Sequence, residues 1–165
     1  MMELNFISKN EETKTPEKLK TPYNNEKTTT PEKLKTPHNF EKTALIIDDS
    51  KVNQMLLDVI LRSMGYKTFH ADDGENGLNQ FDSVKPTITF LDIVMPKKTG
   101  LEVLKEIKFC NPKAMVIMVS SFTTKENIHE AKRSEADGFL KKPISKEKIQ
   151  QVVQLVENKL KLTPV

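Results

Sequence analysis

ALIIDDS, residues Ala44–Ser50, is a run of apolar side chains that stops abruptly at two acids and a hydroxyl. So short a run, without polar alternation, suits a parallel strand buried on both faces, read here as Ala44–Asp48. Ser50 stands where a helix needs its N-cap. Val52, Met55, Leu56, Val59, Ile60 and Met64 follow at helical spacing, expected to face inward, until Gly65 closes the segment.

Outward from this unit the alternation repeats. KTFHA (Lys67–Ala71) reads as a second strand. Asp73–Val84 reads as a helix with Leu78 and Phe81 inward, although Gly74 and Gly77 weaken it. TITFLD (Thr87–Asp92) is a third strand, and Leu101, Val103, Leu104 and Ile107 mark a third helix. AMVIMVSS (Ala114–Ser121) is the most continuous apolar strand and is expected at the centre of the sheet. Lys125–Glu135 reads as a polar fourth helix and GFLKK (Gly138–Lys142) as a fifth strand. Ser145–Leu162 is an amphipathic last helix through Ile149, Val152, Val153 and Val156. Strands alternating with helices in this way call for an α/β fold, a doubly wound parallel five-stranded sheet. Ligands of such sheets sit beyond the carboxyl ends of the strands, where the strand order switches.

Ahead of Thr43 the composition changes. KTPEKLKTPYNNEKT (Lys14–Thr28) is followed directly by TTPEKLKTPHNFEKT (Thr29–Thr43), a period of 15 with 12 identities. One shared Leu per copy cannot build a stacked core. With 8 Lys against 7 Glu up to Lys42, residues 1–42 read as a disordered, mixed-charge extension, and 43–165 as the folded domain. Thr15, Thr21, Thr30 and Thr36 each precede proline, a pattern open to modification or docking, or to nothing more than an extended tether.

The formal charge of +3 is too mild to imply nucleic acid or an anionic membrane. Cys110, the single cysteine, cannot close an internal disulfide, which favours a reducing, cytoplasmic setting. No apolar stretch is long enough to insert in a membrane, and Met1–Asn10 lacks the plan of a secretory signal.

The strand ends carry the chemistry. Asp48 and Asp49 close the first strand, Asp92 the third, Ser120 and Ser121 the fourth, and Lys142 the fifth. Carboxylates gathered at one edge repel unless a cation joins them, and Mg²⁺ favours such oxygen ligands together with phosphate oxygens. A carboxylate can then attack a phosphoryl group, with Lys142 and the ion supplying positive charge and Ser120 a directed hydrogen bond. Taken singly, each acid could be only an N-cap and the lysine only a turn residue. Their joint placement at one end of separate strands argues otherwise.

LIIDDS, FLDIVMP, VIMVSS and DGFLKKP, in that order, resemble the receiver domain of two-component response regulators of the stand-alone, CheY-like kind. The resemblance covers Thr43 to Leu162. It implies a flavodoxin-like strand order 2-1-3-4-5, with Asp92 the phosphorylated residue. It further implies a Mg²⁺ site of Asp49 (direct), Asp48 (partly through water), Asp92 and the Val94 carbonyl. Ser120 and Lys142 then act on the phosphoryl group, Ser120 and Phe139 form the switch, and Lys142–Pro143 is a cis peptide. A Phe139 that stays buried and never moves is the competing structural reading. The implied function is that of a response regulator, not an enzyme beyond its own phosphorylation and dephosphorylation. Its donor would be a histidine kinase or histidine phosphotransfer domain. Its protein target would bind on the fourth-helix, fifth-strand, fifth-helix face, as in chemotaxis. A phosphorelay intermediate passing phosphate onward to a histidine phosphotransfer domain is the alternative.

Two positions depart from the family. Val94 and Phe122, two places beyond Asp92 and Ser120, are apolar where side chains help to orient or exclude the hydrolytic water, so slow loss of phosphate is expected. The Lys97–Lys98 pair would favour an acidic donor domain, or serve only solubility. The last helix ends close to Val165, so a fused DNA-binding output is not expected. A haloacid-dehalogenase-like phosphatase would need D-x-D after its first strand, a P-loop nucleotide site its G-x-x-x-x-G-K-[ST], and neither is present. A receiver that is never phosphorylated is the third alternative, disfavoured by the complete set of site residues.

Overall fold

The computed structural model describes residues 42–121 and 123–162; residues 1–41, with nearly all of the repeats and their expected disorder, and Phe122 lie outside the described residues. Each strand alternates with a helix: β1 (Thr43–Ile47), α1 (Lys51–Ser63), β2 (Lys67–Ala71), α2 (Gly74–Val84), β3 (Ile88–Asp92), α3 (Gly100–Cys110), β4 (Val116–Ser120), α4 (Lys125–Arg133), β5 (Gly138–Lys141) and α5 (Lys146–Leu162). All strand pairs are parallel, in the order β2-β1-β3-β4-β5. That is the expected flavodoxin-like winding, and it puts the reversal of direction between β1 and β3.

Strands buried on both faces need cover on both faces. One layer packs Leu57, Ile60 and Leu61 of α1 and Ile149, Val152, Val153 and Val156 of α5 against Ala44, Ile46, Phe90 and Ile117. The other packs α2, α3 and Ala131 of α4 against Leu45, Ile47, Leu91 and Met118. Gly65, at φ +84°, lets the chain leave α1: its N–H donates to the Arg62 carbonyl and that of Tyr66 to the Leu61 carbonyl.

Three expectations need correction. Val52, Met55, Leu56 and Val59 do not face inward; they are 76, 68, 42 and 66% exposed, while Gln54, Leu57, Ile60 and Leu61 are buried. Apolar residues line most of the circumference of α1, so helical spacing alone fits more than one face. Second, the centre of the sheet is β3; β4 is an interior strand, and its long apolar run reflects cover on both faces rather than a central place. Third, Ser50 occupies the N-cap of α1 but its hydroxyl makes no capping bond. Gly74 and Gly77 also prove to be packing requirements. A Cβ on Gly77 would meet Ile47 at 2.7 Å, and one on Gly74 would meet Val103 at 2.8 Å.

At the amino ends of β4 and β5 lies a buried ion cluster that the sequence did not announce. Lys108 Nζ donates to Asp137 Oδ2 and to the Ala114 carbonyl, both at 2.7 Å. Asp137 also accepts from Val116 N at 3.0 Å and from Lys159 Nζ at 2.7 Å. Near the start of β3, opposite Val116, the Thr89 hydroxyl is fully buried with no hydrogen-bond partner among the described residues.

Candidate functional site

At the carboxyl ends of the strands the chain meets its other charge cluster. Asp48 is the first residue past β1, and Asp92 the last of β3. Because β1 and β3 are neighbours, their ends deliver both carboxyls to one place. Asp49, exposed beside them, completes a set whose ligand oxygens all lie within 4.8 Å of one another. The Lys142 ammonium sits among them, 2.8 Å from Asp48 Oδ2 and 2.7 Å from Asp92 Oδ2. It comes from the residue just after β5, whose backbone N–H donates to the Ser120 carbonyl at 2.9 Å. The Lys142–Pro143 peptide is cis, as the resemblance implied.

Burial pushes the Asp92 carboxyl above the usual carboxylate range, and the charge of Asp48 adds to this; Lys142 pulls the other way without cancelling it. For Lys142 burial opposes the charge, but hydrogen bonds to Asp48 and Asp92 raise its affinity for a proton above that of an ordinary lysine. The lysine stays an ammonium, and among the described residues of the cluster it is a single cation against three acids. An all-oxygen, anionic donor set with this imbalance fits a hard divalent ion such as Mg²⁺.

Asp48 is held firmly. Its Oδ1 accepts from Ser50 N at 2.9 Å and from Asn53 Nδ2 at 3.1 Å, so its remaining capacity is on Oδ2. Asp92 is held by its backbone. Gly100, at the start of α3, donates its N–H to the Ile93 carbonyl, and a Cβ there would lie 1.9 Å from the Asp92 carbonyl oxygen. Only glycine lets α3 approach this strand end so closely. The Thr99–Glu102 capping box then fixes where α3 begins.

Of the residues expected in the site, Asp48, Asp49, Asp92 and Lys142 are brought together. Ser120 is fully buried at the end of β4, which runs beside β3 with Val119 opposite Asp92. Val94 is half exposed, and its N–H lies 3.4 Å from Asp92 Oδ1. Phe139 stands opposite Met118 on β5, partly buried against the α2–α3–α4 side of the core. Phe122 is outside the described residues. Sequence reasoning missed Asn53, Gln54 and Gly100. A glycine directly after a Thr N-cap was a readable sign of close approach; nothing comparable marked Asn53 and Gln54.

The family model for the response regulator receiver domain matches residues 44–154. A chemotaxis protein CheY of Thermotoga maritima is 29% identical over 113 residues, which is 68% of this chain and 94% of that protein. A protein named CcdB of Bacillus subtilis is 31% identical over 113 residues, with 68% and 94% covered. Among solved structures, a chain of the CheX–CheY–BeF3–Mg²⁺ complex from Borrelia burgdorferi matches with a TM-score of 0.68 and 30% identity, over 70% of this chain and 89% of that one.

Proposed function

Because this chain belongs to the response regulator receiver domain family, we propose that it accepts a phosphoryl group on Asp92 and signals by phosphorylation-dependent protein binding. The observation that carries this reading is the Lys142 ammonium bridging Asp48 and Asp92 within a cluster of carboxylates. In the step, an Asp92 carboxylate oxygen forms a bond to phosphorus while the bond from phosphorus to the donor breaks. With a phosphohistidine donor, the imidazole leaves on that bonding pair and takes its proton from solvent. Asp49, Asp92, the Val94 carbonyl and, partly through water, Asp48 would hold a Mg²⁺ ion, which would supply positive charge for the phosphoryl oxygens. Lys142 follows the phosphoryl oxygens from its place on Asp92, and Ser120 donates its hydroxyl to one of them. Movement of Ser120 draws Phe139 inward. This remodels the α4–β5–α5 surface for a protein target, and two or three charge-assisted hydrogen bonds suffice to shift the population.

We place the receiver at residues 43–165, in the cytoplasm, with a histidine kinase or histidine phosphotransfer domain as donor. Output to a chemotaxis target is the form closest to the CheY relatives.

Incubation of the full chain with acetyl phosphate and Mg²⁺, followed by mass spectrometry, tests the chemistry. A gain of one phosphoryl group that is absent in Asp92→Asn is the expected result; no gain in the wild type rules it out. The phosphorylated state should also be long-lived. Polar replacements of Val94 and Phe122 are expected to speed phosphate loss, and an unchanged or slower rate would refute that point.

A further inference from the structure

The first turn of α1 grips Asp48 at both ends of that residue. Gln54 is 4% exposed, and its Nε2 donates to the Asp48 carbonyl at 2.6 Å and to the Ala71 carbonyl at 2.9 Å. Those two carbonyls mark the place where β1 and β2 stop pairing. The last backbone rung there is Asp48 N to Ala71 O at 3.1 Å. Beyond it the strands part, and the Gln54 amide bridges the two main chains where the sheet no longer does. Its Oε1 accepts from Lys51 at 3.4 Å, so the amide is engaged through both of its heavy atoms. The preceding residue, Asn53, reaches the other end of Asp48 and donates to Oδ1. Two consecutive side chains therefore fix the Asp48 backbone and its carboxylate, and turn Oδ2 toward Lys142 and Asp92.

Ordinary core packing does not explain these residues. A buried glutamine must place every polar atom or carry a desolvation cost, and an aliphatic side chain would fill the same volume without that demand. The same requirement accounts for the rotation of α1. Turning Gln54 to the strand ends carries Leu57 and Leu61 inward and leaves Val52, Met55 and Val59 outside.

We infer that Gln54 and Asn53 are positioning residues for the acidic cluster, setting its affinity for a divalent cation through Asp48. This rests on the reading of that cluster as a Mg²⁺ site. Partners that orient metal ligands commonly contribute about 10–100-fold in affinity. Gln54→Met keeps the length of the side chain and removes the amide. Asn53→Ala alters a partly exposed side chain and leaves the core intact, so it carries the test should Gln54→Met fail to fold.

The experiment is calorimetric titration of the full chain with Mg²⁺ alone, with urea unfolding of the same samples in EDTA. Asp137→Asn, at the far end of the sheet, controls for lost stability. The expected result is about tenfold weaker Mg²⁺ binding in Gln54→Met and a smaller loss in Asn53→Ala, with unchanged affinity in folded Asp137→Asn. Folded variants that bind Mg²⁺ as the wild type does overturn the inference, as does an equal loss in the Asp137→Asn control. A wild type that binds no Mg²⁺ removes the metal reading itself, and with it this role.

Discussion

Two lysine–aspartate clusters sit at opposite ends of one sheet, equally dry and differently complete. At the amino end, the Lys108 and Asp137 side chains are 8 and 7% exposed; at the carboxyl end, Lys142 and Asp92 are 12 and 7% exposed. Burial therefore does not distinguish them. The difference lies in what surrounds the charges. Asp137 has two ammonium partners and a backbone N–H, and Lys108 has a carbonyl besides its carboxylate. At the other end, among the described residues, a single ammonium is shared between Asp48 and Asp92 in a cluster of acids that crowd one another. A closed cluster holds structure together, whereas an open one stores an electrostatic deficit that a ligand can relieve.

Removing an aspartate should thus have opposite signs at the two ends. Asp137→Ala strands the buried Lys108 ammonium and is expected to cost about 3–5 kcal/mol in urea unfolding. A cost under about 1 kcal/mol would mean that the amino-end cluster is not the closed structural pair described. Next in size is the response to a cation. Mg²⁺ at a hundred times its dissociation constant should stabilise the wild type by about 2.7 kcal/mol, and Asp49→Ala should lose most of that gain while Asp137→Asn keeps it.

Asp92→Asn without metal is expected to gain about 1 kcal/mol near neutral pH, the usual sign when a charge kept for function is removed. The pH dependence follows from the raised Asp92 proton affinity. Below the unfolded value of about 4, the carboxyl is protonated in both states and the variant has no advantage. As pH rises from there through the higher folded value, the wild type loses stability relative to Asp92→Asn, and the difference then levels off. A gap that narrowed with rising pH would contradict the deficit. The smallest effect belongs beside the amino-end cluster, opposite Val116: Thr89→Val removes a buried hydroxyl without a partner among the described residues and should gain about 0.5 kcal/mol by thermal melting.

Much of this was legible in the residues because it depends on local pattern. Short apolar runs ending in Asp48, Asp92 and Ser120 gave the strands, and the strand ends gave the cluster. What stayed hidden depends on choices made by the folded whole. The buried face of α1 could not be read from periodicity, since Leu57 and Leu61 compete with Val52, Met55 and Val59 and the decision falls to a glutamine seeking carbonyls. Gly74 and Gly77 read as weak points of their helix because propensity sees no neighbours, yet Ile47 and Val103 leave no room for a Cβ. Nothing in the local sequence marks Lys108, whose buried ammonium is paired with Asp137, far away in sequence.

Gly100 has no chemistry to offer, yet its position leaves no latitude, because any side chain would begin inside the Asp92 carbonyl. In a saturation library sorted for signalling, positions 92 and 100 should be about equally depleted. Sorted for cellular abundance they should separate, with Asp92→Asn persisting or enriching and every replacement of Gly100 disappearing. Two equally invariant positions would then have opposite histories, one preserved for what it does and the other for the room it leaves.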